Sequence, residues 1–221
     1  MILAAGRGMR MRPLTDSIPK PLLPVAGVPI IERHLRALER AGFCTVLINH
    51  AWLGAQLLKA LGDGSRFGVE IVWSAEEPAL ETAGGIAKAL PLLGADPFLV
   101  VNGDIVCDWD FSQARPLAQR LLTGSLLAGC VLVDNPAHHP QGDFAVHGRT
   151  LTFSGIGVYQ PALFASVAQG SYAKLGPLLH AAHAQGRMLT IHHPGLWSDV
   201  GDPQRLAELE ERLRQRAYGT A

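Results

Sequence analysis

Within its first 21 residues the chain carries two glycines, three arginines and a lysine set between two prolines. The first group lies in Leu3-Ala4-Ala5-Gly6-Arg7-Gly8-Met9-Arg10-Met11-Arg12-Pro13, directly after an apolar start. Glycine lets backbone N–H groups turn toward an anion at close range, and arginine adds fixed, bidentate positive charge. The chemistry this mixture serves is phosphate binding. It is not a dinucleotide fingerprint, because the third glycine is missing and Pro13 blocks immediate helix continuation. Nor is it a Walker loop, which needs Gly-Lys-Ser/Thr. A G-x-G turn alone would fit an ordinary surface turn. Lys20 adds the second signal: Pro19 and Pro21 fix φ on either side of it, a frame that a freely solvated lysine does not need.

Two carboxylates complete the set. Asp104 follows the apolar run Phe98–Val101 through Asn102-Gly103. A carboxylate at the C-terminal end of a central parallel strand lies where open α/β sheets bind ligands. Asp199 sits far along the chain in Trp197-Ser198-Asp199-Val200-Gly201. Two oxygen ligands from distant segments suit Mg²⁺, which completes its shell with phosphate and water. Asp104 taken alone could also cap a turn. Asp202 reads as an N-cap before Pro203, and Asp108 as a solvated loop residue. His138 and His139 are adjacent, so their side chains should diverge rather than share a metal. No Ser-His-Asp or Cys-His arrangement calls for a covalent step.

These residues need a framework. Met1–Ala5, Thr45–Asn49, Val69–Ser74 and Phe98–Asn102 read as strands, alternating with helices over Ile30–Ala41, Ala51–Leu61 and Ala83–Leu93. The alternation predicts an α/β fold with a doubly wound, mostly parallel, Rossmann-like sheet in one domain spanning residues 1–221. Leu127–Val133, Leu151–Tyr159 and Met188–His192 read as further strands, Leu175–Gln185 as a helix, and Pro203 opens a charged terminal helix.

Bulk properties narrow the partners. Lys plus Arg and Asp plus Glu balance at 19 each, so no global field points to nucleic acid. No apolar run approaches the roughly 20 residues that span a bilayer. The three cysteines are scattered and odd in number, which suits a reducing cytoplasm.

The joint pattern G-x-G-x-R-M-x-P-L-T (Gly6–Thr15) and P-K-P-L-L-P-V (Pro19–Val25) resembles the signature of sugar-1-phosphate nucleotidyltransferases. The likeness runs from Met1 to about Leu206. It implies a Mg²⁺-dependent enzyme acting on small molecules, a nucleoside triphosphate and a sugar 1-phosphate, with release of pyrophosphate. It implies that Arg10 and Lys20 are catalytic and that Asp104 and Asp199 hold the metal. It implies nucleotide contacts at Leu3, Ala4, Ala5, Gly6, Gly8, Asn102 and Gly103. Glu81, Gly84 and Gly85, in Leu80–Ile86, match the family's base-reading loop. Asn49, Gly142, Ser154 and Gly155 are expected near the sugar. His50 and Trp52 either line the sugar pocket or serve as a cap and a packed aromatic.

Several local pieces, among them N-H-A-W-L, L-E-T-A-G-G and W-S-D-V-G, resemble the family's uridylyltransferases, implying UTP and a UDP-sugar product. There is a departure. Many relatives carry a longer segment where Ala145–Thr152 stands, and a Glu-Lys pair there that grips the sugar phosphate; this chain has neither. Other bases and sugars within the family, a non-catalytic nucleotide-sugar sensor and a Rossmann oxidoreductase are the competing readings.

Overall fold

Phe98-Leu99-Val100-Val101 is apolar at every position, so the strand it forms must have both faces covered. The computed structural model describes residues 1–219, with side chains to Gln215. Twelve strands occur among them: β1 (Ile2–Leu3), β2 (Pro24–Val25), β3 (Val28–Pro29), β4 (Thr45–His50), β5 (Glu70–Ala75), β6 (Phe98–Asn102), β7 (Ile105–Cys107), β8 (Ala128–Val133), β9 (Phe144–Val146), β10 (Arg149–Tyr159), β11 (Met188–His192) and β12 (Trp197–Asp199). The helices are α1 (Leu14–Ser17), α2 (Ile30–Arg40), α3 (Gly54–Leu61), α4 (Glu81–Leu93), α5 (Ala114–Leu122), α6 (Leu175–Ala184) and α7 (Pro203–Gly219).

The main sheet runs β11-β8-β10-β6-β1-β4-β5, with β9 paired to β10 outside that path. β1 lies parallel between β4 and β6, β5 parallel to β4, and β11 parallel to β8. β10 is antiparallel to both β6 and β8. The expected mostly parallel sheet is present, with β10 reversed within it. β10 is entered from β9 through a hairpin rather than from a crossover helix, with Val146 opposite Arg149 and both His147 and Gly148 at positive φ. That is the backbone of a tight two-residue turn, so the short Ala145–Thr152 segment closes on itself.

Both faces are covered. Ile31, Leu35 and Leu38 of α2, Leu57 and Leu61 of α3, and Leu117 and Leu121 of α5 pack in one cluster with Ile2, Ile48 and Val101. Ala83, Ile86 and Ala87 of α4 and Leu175 and Leu179 of α6 join a second cluster with Val100, Leu132 and Tyr159. A third, smaller cluster lies beneath the arginine-rich turn, where Met11, Leu23 and Val25 meet Val106, Val200 and Leu209. It ties the N-terminal loop to β7, β12 and α7.

Several features depart from the sequence pattern. α3 begins at Gly54, not Ala51, because Leu53 is left-handed at φ 54° and breaks the first turn. α5 was not apparent from periodicity; Pro116 stands near its start, where a missing N–H costs no helix bond. The partner of β12 is β7, an antiparallel ladder between segments far apart in the chain.

Candidate active site

β1 ends at Leu3, and the chain then turns through the glycine loop. Ala4 N–H donates to Asn49 Oδ1 at 2.8 Å, and Asn49 Nδ2 donates to Glu76 Oε1 at 2.6 Å. Glu76 Oε2 accepts from Leu80 N–H at 2.8 Å. Asn49 and Glu76 are buried. One amide and one carboxylate thus join the loop, the end of β4 and the entrance to α4, and every polar atom named has a partner.

The glycines divide by task. Gly6 has open space where a Cβ would stand and lines a cavity. Gly8 sits at φ 66°, and a Cβ there would lie 2.9 Å from Thr15 Cγ2 and 3.3 Å from Lys20 Cβ. Its carbonyl accepts from Met11 N–H at 2.9 Å and Thr15 Oγ1 at 2.8 Å. Gly8 therefore folds the loop back onto Lys20. Gly84 and Gly85 are buried in α4. A Cβ at Gly84 would meet Ser171 O at 2.2 Å, and one at Gly85 would meet Glu76 Oε1 at 2.4 Å. Gly84 N–H is bonded to Ala173 C=O at 3.1 Å. Gly103 N–H donates to Leu3 C=O at 2.8 Å, and a Cβ there would lie 2.6 Å from that oxygen. Gly8, Gly84, Gly85 and Gly103 thus stand behind the cleft lining, where they set close backbone approach.

Two cavities open side by side. The first, about 380 Å³, is lined by Leu3, Ala4, Ala5 and Gly6, with Arg7, Lys20, Asn49, Glu76, Glu81 and Thr82. The second, about 440 Å³, is lined by Arg10, His138, His139, Asp143, Ser154, Gly155, Asp199 and Arg205, among others. Asn102 and Asp104 line both. Asn49, expected beside the sugar residues, lies instead in the first cavity. Arg10, expected with Gly6, faces the second. Gly142, at φ 64°, packs against Asn135 and lies outside both linings.

At the seam, Lys20 pairs with Asp104, its side chain 10% exposed against 36% for the aspartate. The β7–β12 ladder places Asp199 opposite Ile105, and Val200 N–H donates to Asp104 C=O at 2.8 Å. Asp199 thus lies in this short ladder with Asp104 directly beside its end, and both line one cavity. Asp199 is bound by Arg205, which also holds Asp202 at 2.7 Å. Burial opposes the charge of Arg205, but its bonds to Asp202 and Asp199 outweigh this and raise its pKa. Asp202 accepts from Arg205 N–H at 3.0 Å and caps α7.

Among the described residues, no group of three or more His, Cys, Asp or Glu side chains could hold a metal by itself. The carboxylate pair nevertheless fits Mg²⁺, which takes few protein ligands. Asp199 Oδ1 is buried without a hydrogen-bond partner, although His138 Nε2 lies 3.2 Å away. An orphaned carboxylate oxygen facing a polar cavity is a donor available to a hard cation.

The second cavity is assembled from side chains. His139 Nε2 meets Asp143 Oδ1 at 3.0 Å, and Asp143 Oδ2 accepts from Phe153 N–H at 2.8 Å. The two histidines diverge, His138 to Asp199 and His139 to Asp143. Ser154 Oγ donates to Val131 C=O at 2.7 Å. The β10–β8 register slips between Phe153 and Ile156, and Gly155 at φ 82° lets this bulge reach within contact of Asn102. Behind the seam, burial pushes His34 down to about 4, against smaller opposing contributions from the Ile105 backbone and Asp104.

Sequence reasoning missed Glu76, Arg7, Asp143 and Arg205. Glu76 carried the same signal as Asp104, a carboxylate at the end of a parallel strand. Arg205 carried none, because its partners become visible only through α7. Asp108, read as solvated, meets His193 at 2.9 Å. Trp52 belongs to the loop framework: its Nε1 donates to Thr15 C=O at 2.9 Å.

Comparison with known proteins bears on this geometry. A nucleotidyl transferase family profile matches residues 1–142. N-acetylmuramate alpha-1-phosphate uridylyltransferase of Neisseria meningitidis serogroup B is 53% identical, covering 95% of this chain and 96% of its own. The enzyme of the same name from Caulobacter vibrioides is 32% identical over 97% and 96%. A Bacillus anthracis structure assigned as a glucose-1-phosphate thymidylyltransferase superposes with a TM-score of 0.84 at 20% identity, covering 96% and 94%, and so shares the fold. With the profile and relatives matching across loop, seam and both cavities, the chain belongs to the nucleotidyl transferase family.

Proposed function

We propose that this enzyme joins UTP to N-acetylmuramate 1-phosphate, forming UDP-N-acetylmuramate and pyrophosphate, in the cytoplasm and in the reuse of cell-wall sugar. The observation that carries the reading is the meeting of two cavities at one carboxylate, Asp104, flanked by Lys20 and Asp199. The 53% identity to the Neisseria enzyme favours this sugar and base over the mannose-1-phosphate guanylyltransferase reading, whose Xenopus tropicalis relative is 28% identical.

The nucleoside takes the first cavity. Ala4, Ala5 and Gly6 supply close backbone there, and Glu81 and Thr82 line the same cavity. The sugar takes the second, beside Asp143, Ser154 and Gly155. A sugar phosphate oxygen attacks the α-phosphorus of UTP, one P–O bond forms, and the bond to pyrophosphate breaks. The attacking oxygen is already anionic near neutral pH, so no protein nucleophile is needed. Lys20 and Arg10 approach the reacting groups from opposite cavities and offset the repulsion between two polyanions. Arg10 and Arg205 are the cations lining the sugar side, with the imidazoles of His138 and His139 beside them. Asp104 and Asp199 would hold Mg²⁺, which when bound neutralises phosphate charge.

The test is pyrophosphate release across a panel of UTP, GTP and dTTP, each with N-acetylmuramate, mannose and glucose 1-phosphates. The expected result is turnover fastest with UTP and N-acetylmuramate 1-phosphate. Preference for GTP with mannose 1-phosphate would replace the specificity, and no release with any pair would remove the catalytic reading.

A further inference from the structure

Arg7 belongs to the glycine loop yet takes no part in its framework. Its guanidinium stands 4.4 Å from the centroid of the Trp52 ring, and the exposed side chain lines the first cavity. Among the described residues Arg7 makes no hydrogen bond or ion pair, so its N–H donors face solvent rather than a protein partner. Its neighbours differ. Arg12 is paired with Asp16 and Lys20 with Asp104, while Arg10 faces the second cavity.

The aromatic partner is fixed. Trp52 Nε1 donates to Thr15 C=O at 2.9 Å, and Gln56 Nε2 donates to Ser17 C=O at 3.0 Å. The segment after β4 is therefore tied to the far arm of the loop, and the ring cannot follow the arginine. Trp52 is half-buried, and a cation over such an aromatic face is held more weakly than a guanidinium in bidentate contact with phosphate. When a polyanion enters the cavity, the stronger contact prevails.

We propose that Arg7 rests on Trp52 while the first cavity is empty and transfers to the phosphates of the incoming nucleotide. Arg7 is then a binding residue and Trp52 its resting place. The proposal rests on the reading of the first cavity as the nucleotide site.

Tryptophan emission of the full chain, titrated with UTP and separately with inorganic tripolyphosphate, tests it, with calorimetry measuring binding independently. Expected is an emission change in the wild type that is absent from Trp52→Phe although that variant still binds UTP. Arg7→Ala should keep its melting temperature, lose the emission change and raise the UTP dissociation constant about tenfold, as for loss of one charge-assisted contact. Unchanged wild-type emission at UTP saturation, or unchanged UTP affinity in folded Arg7→Ala, overturns the proposal. If UTP does not bind but tripolyphosphate still shifts Trp52 emission, the nucleotide reading fails while the Arg7 transfer stands. If neither ligand binds, both fall.

Discussion

The two cavities that meet at Asp104 are walled in different ways. The first is built on the parallel strands β1, β4, β5 and β6, and its order comes from backbone. Ala4 N–H, Leu80 N–H and the close packing at Gly85 all converge on the buried Asn49–Glu76 pair. The second is built on the antiparallel β10, the β9–β10 hairpin and α7, and its order comes from paired polar side chains. Arg205 holds Asp199 and Asp202, and His139 meets Asp143. Farther along the same side, His192 and Arg149 meet Asp134 on the surface. A wall of backbone contacts suits a ligand part that does not vary, such as a triphosphate. A wall of side chains can be exchanged residue by residue as the sugar changes. On our reading, that is why the glycine loop matches the wider family while the sugar side lacks its Glu-Lys pair.

The largest effect should come from the seam, where the two walls meet. Lys20→Ala should lower turnover at least about 100-fold, corresponding to ~3 kcal/mol of lost charge stabilisation, with the fold retained. Steady-state pyrophosphate release measures this, and turnover within a few-fold of wild type would remove Lys20 from the chemistry.

The seam is also expected to impose a pH limit on folding. His34 titrates at about 4 in the folded chain against 6.5 in its ordinary state. The unfolded chain therefore binds the proton more readily. The contribution of neutral His34 is fully present above pH 6.5 and declines as pH falls toward 4, by as much as ~3 kcal/mol. Urea unfolding of wild type and His34→Gln across this window should show a shallower pH slope in the variant; parallel slopes would rule out His34 as the source.

Within the backbone wall, Gly85→Ala would press a methyl group to 2.4 Å from Glu76 Oε1. The expected cost is about 1–3 kcal/mol, a fall of several degrees in Tm, together with a higher KM for the nucleotide. A variant with unchanged Tm and KM would show that the wall is softer than its packing implies.

The smallest effect should lie on the outer surface of the charged side. Arg149 and Asp134 are 56% and 68% exposed and 3.8 Å apart. Arg149→Ala should change stability by no more than about 0.5 kcal/mol. A much larger loss would mean that the charges on this side act as one network extending to the cavity, which would sharpen the contrast between the two walls.

The legibility of the molecule follows the same division. The glycine loop, Lys20 between its prolines, and the strand leading to Asp104 could be read because each constraint is local. A proline fixes its own φ, a glycine permits its own turn, and four consecutive apolar residues require burial where they stand. The parallel first half was legible for the same reason, since its alternation of elements repeats over short windows. Boundaries failed where a single residue broke the pattern, as Leu53 does at α3.

The sequence by itself therefore determined the fold class, the glycine- and arginine-rich loop and the two aspartates that we propose hold the metal. Tertiary structure decided that the β7–β12 ladder brings Asp199 beside Asp104 in one cavity, and that Asn49 links the loop to Glu76. It also decided that Gly84 and Gly85 set packing distance behind the wall, and that Arg205 holds Asp199. Each of these depends on register between segments distant in the chain. A residue's type records what it can bond to, while its partner is fixed only when the sheet has formed and the helices have packed upon it.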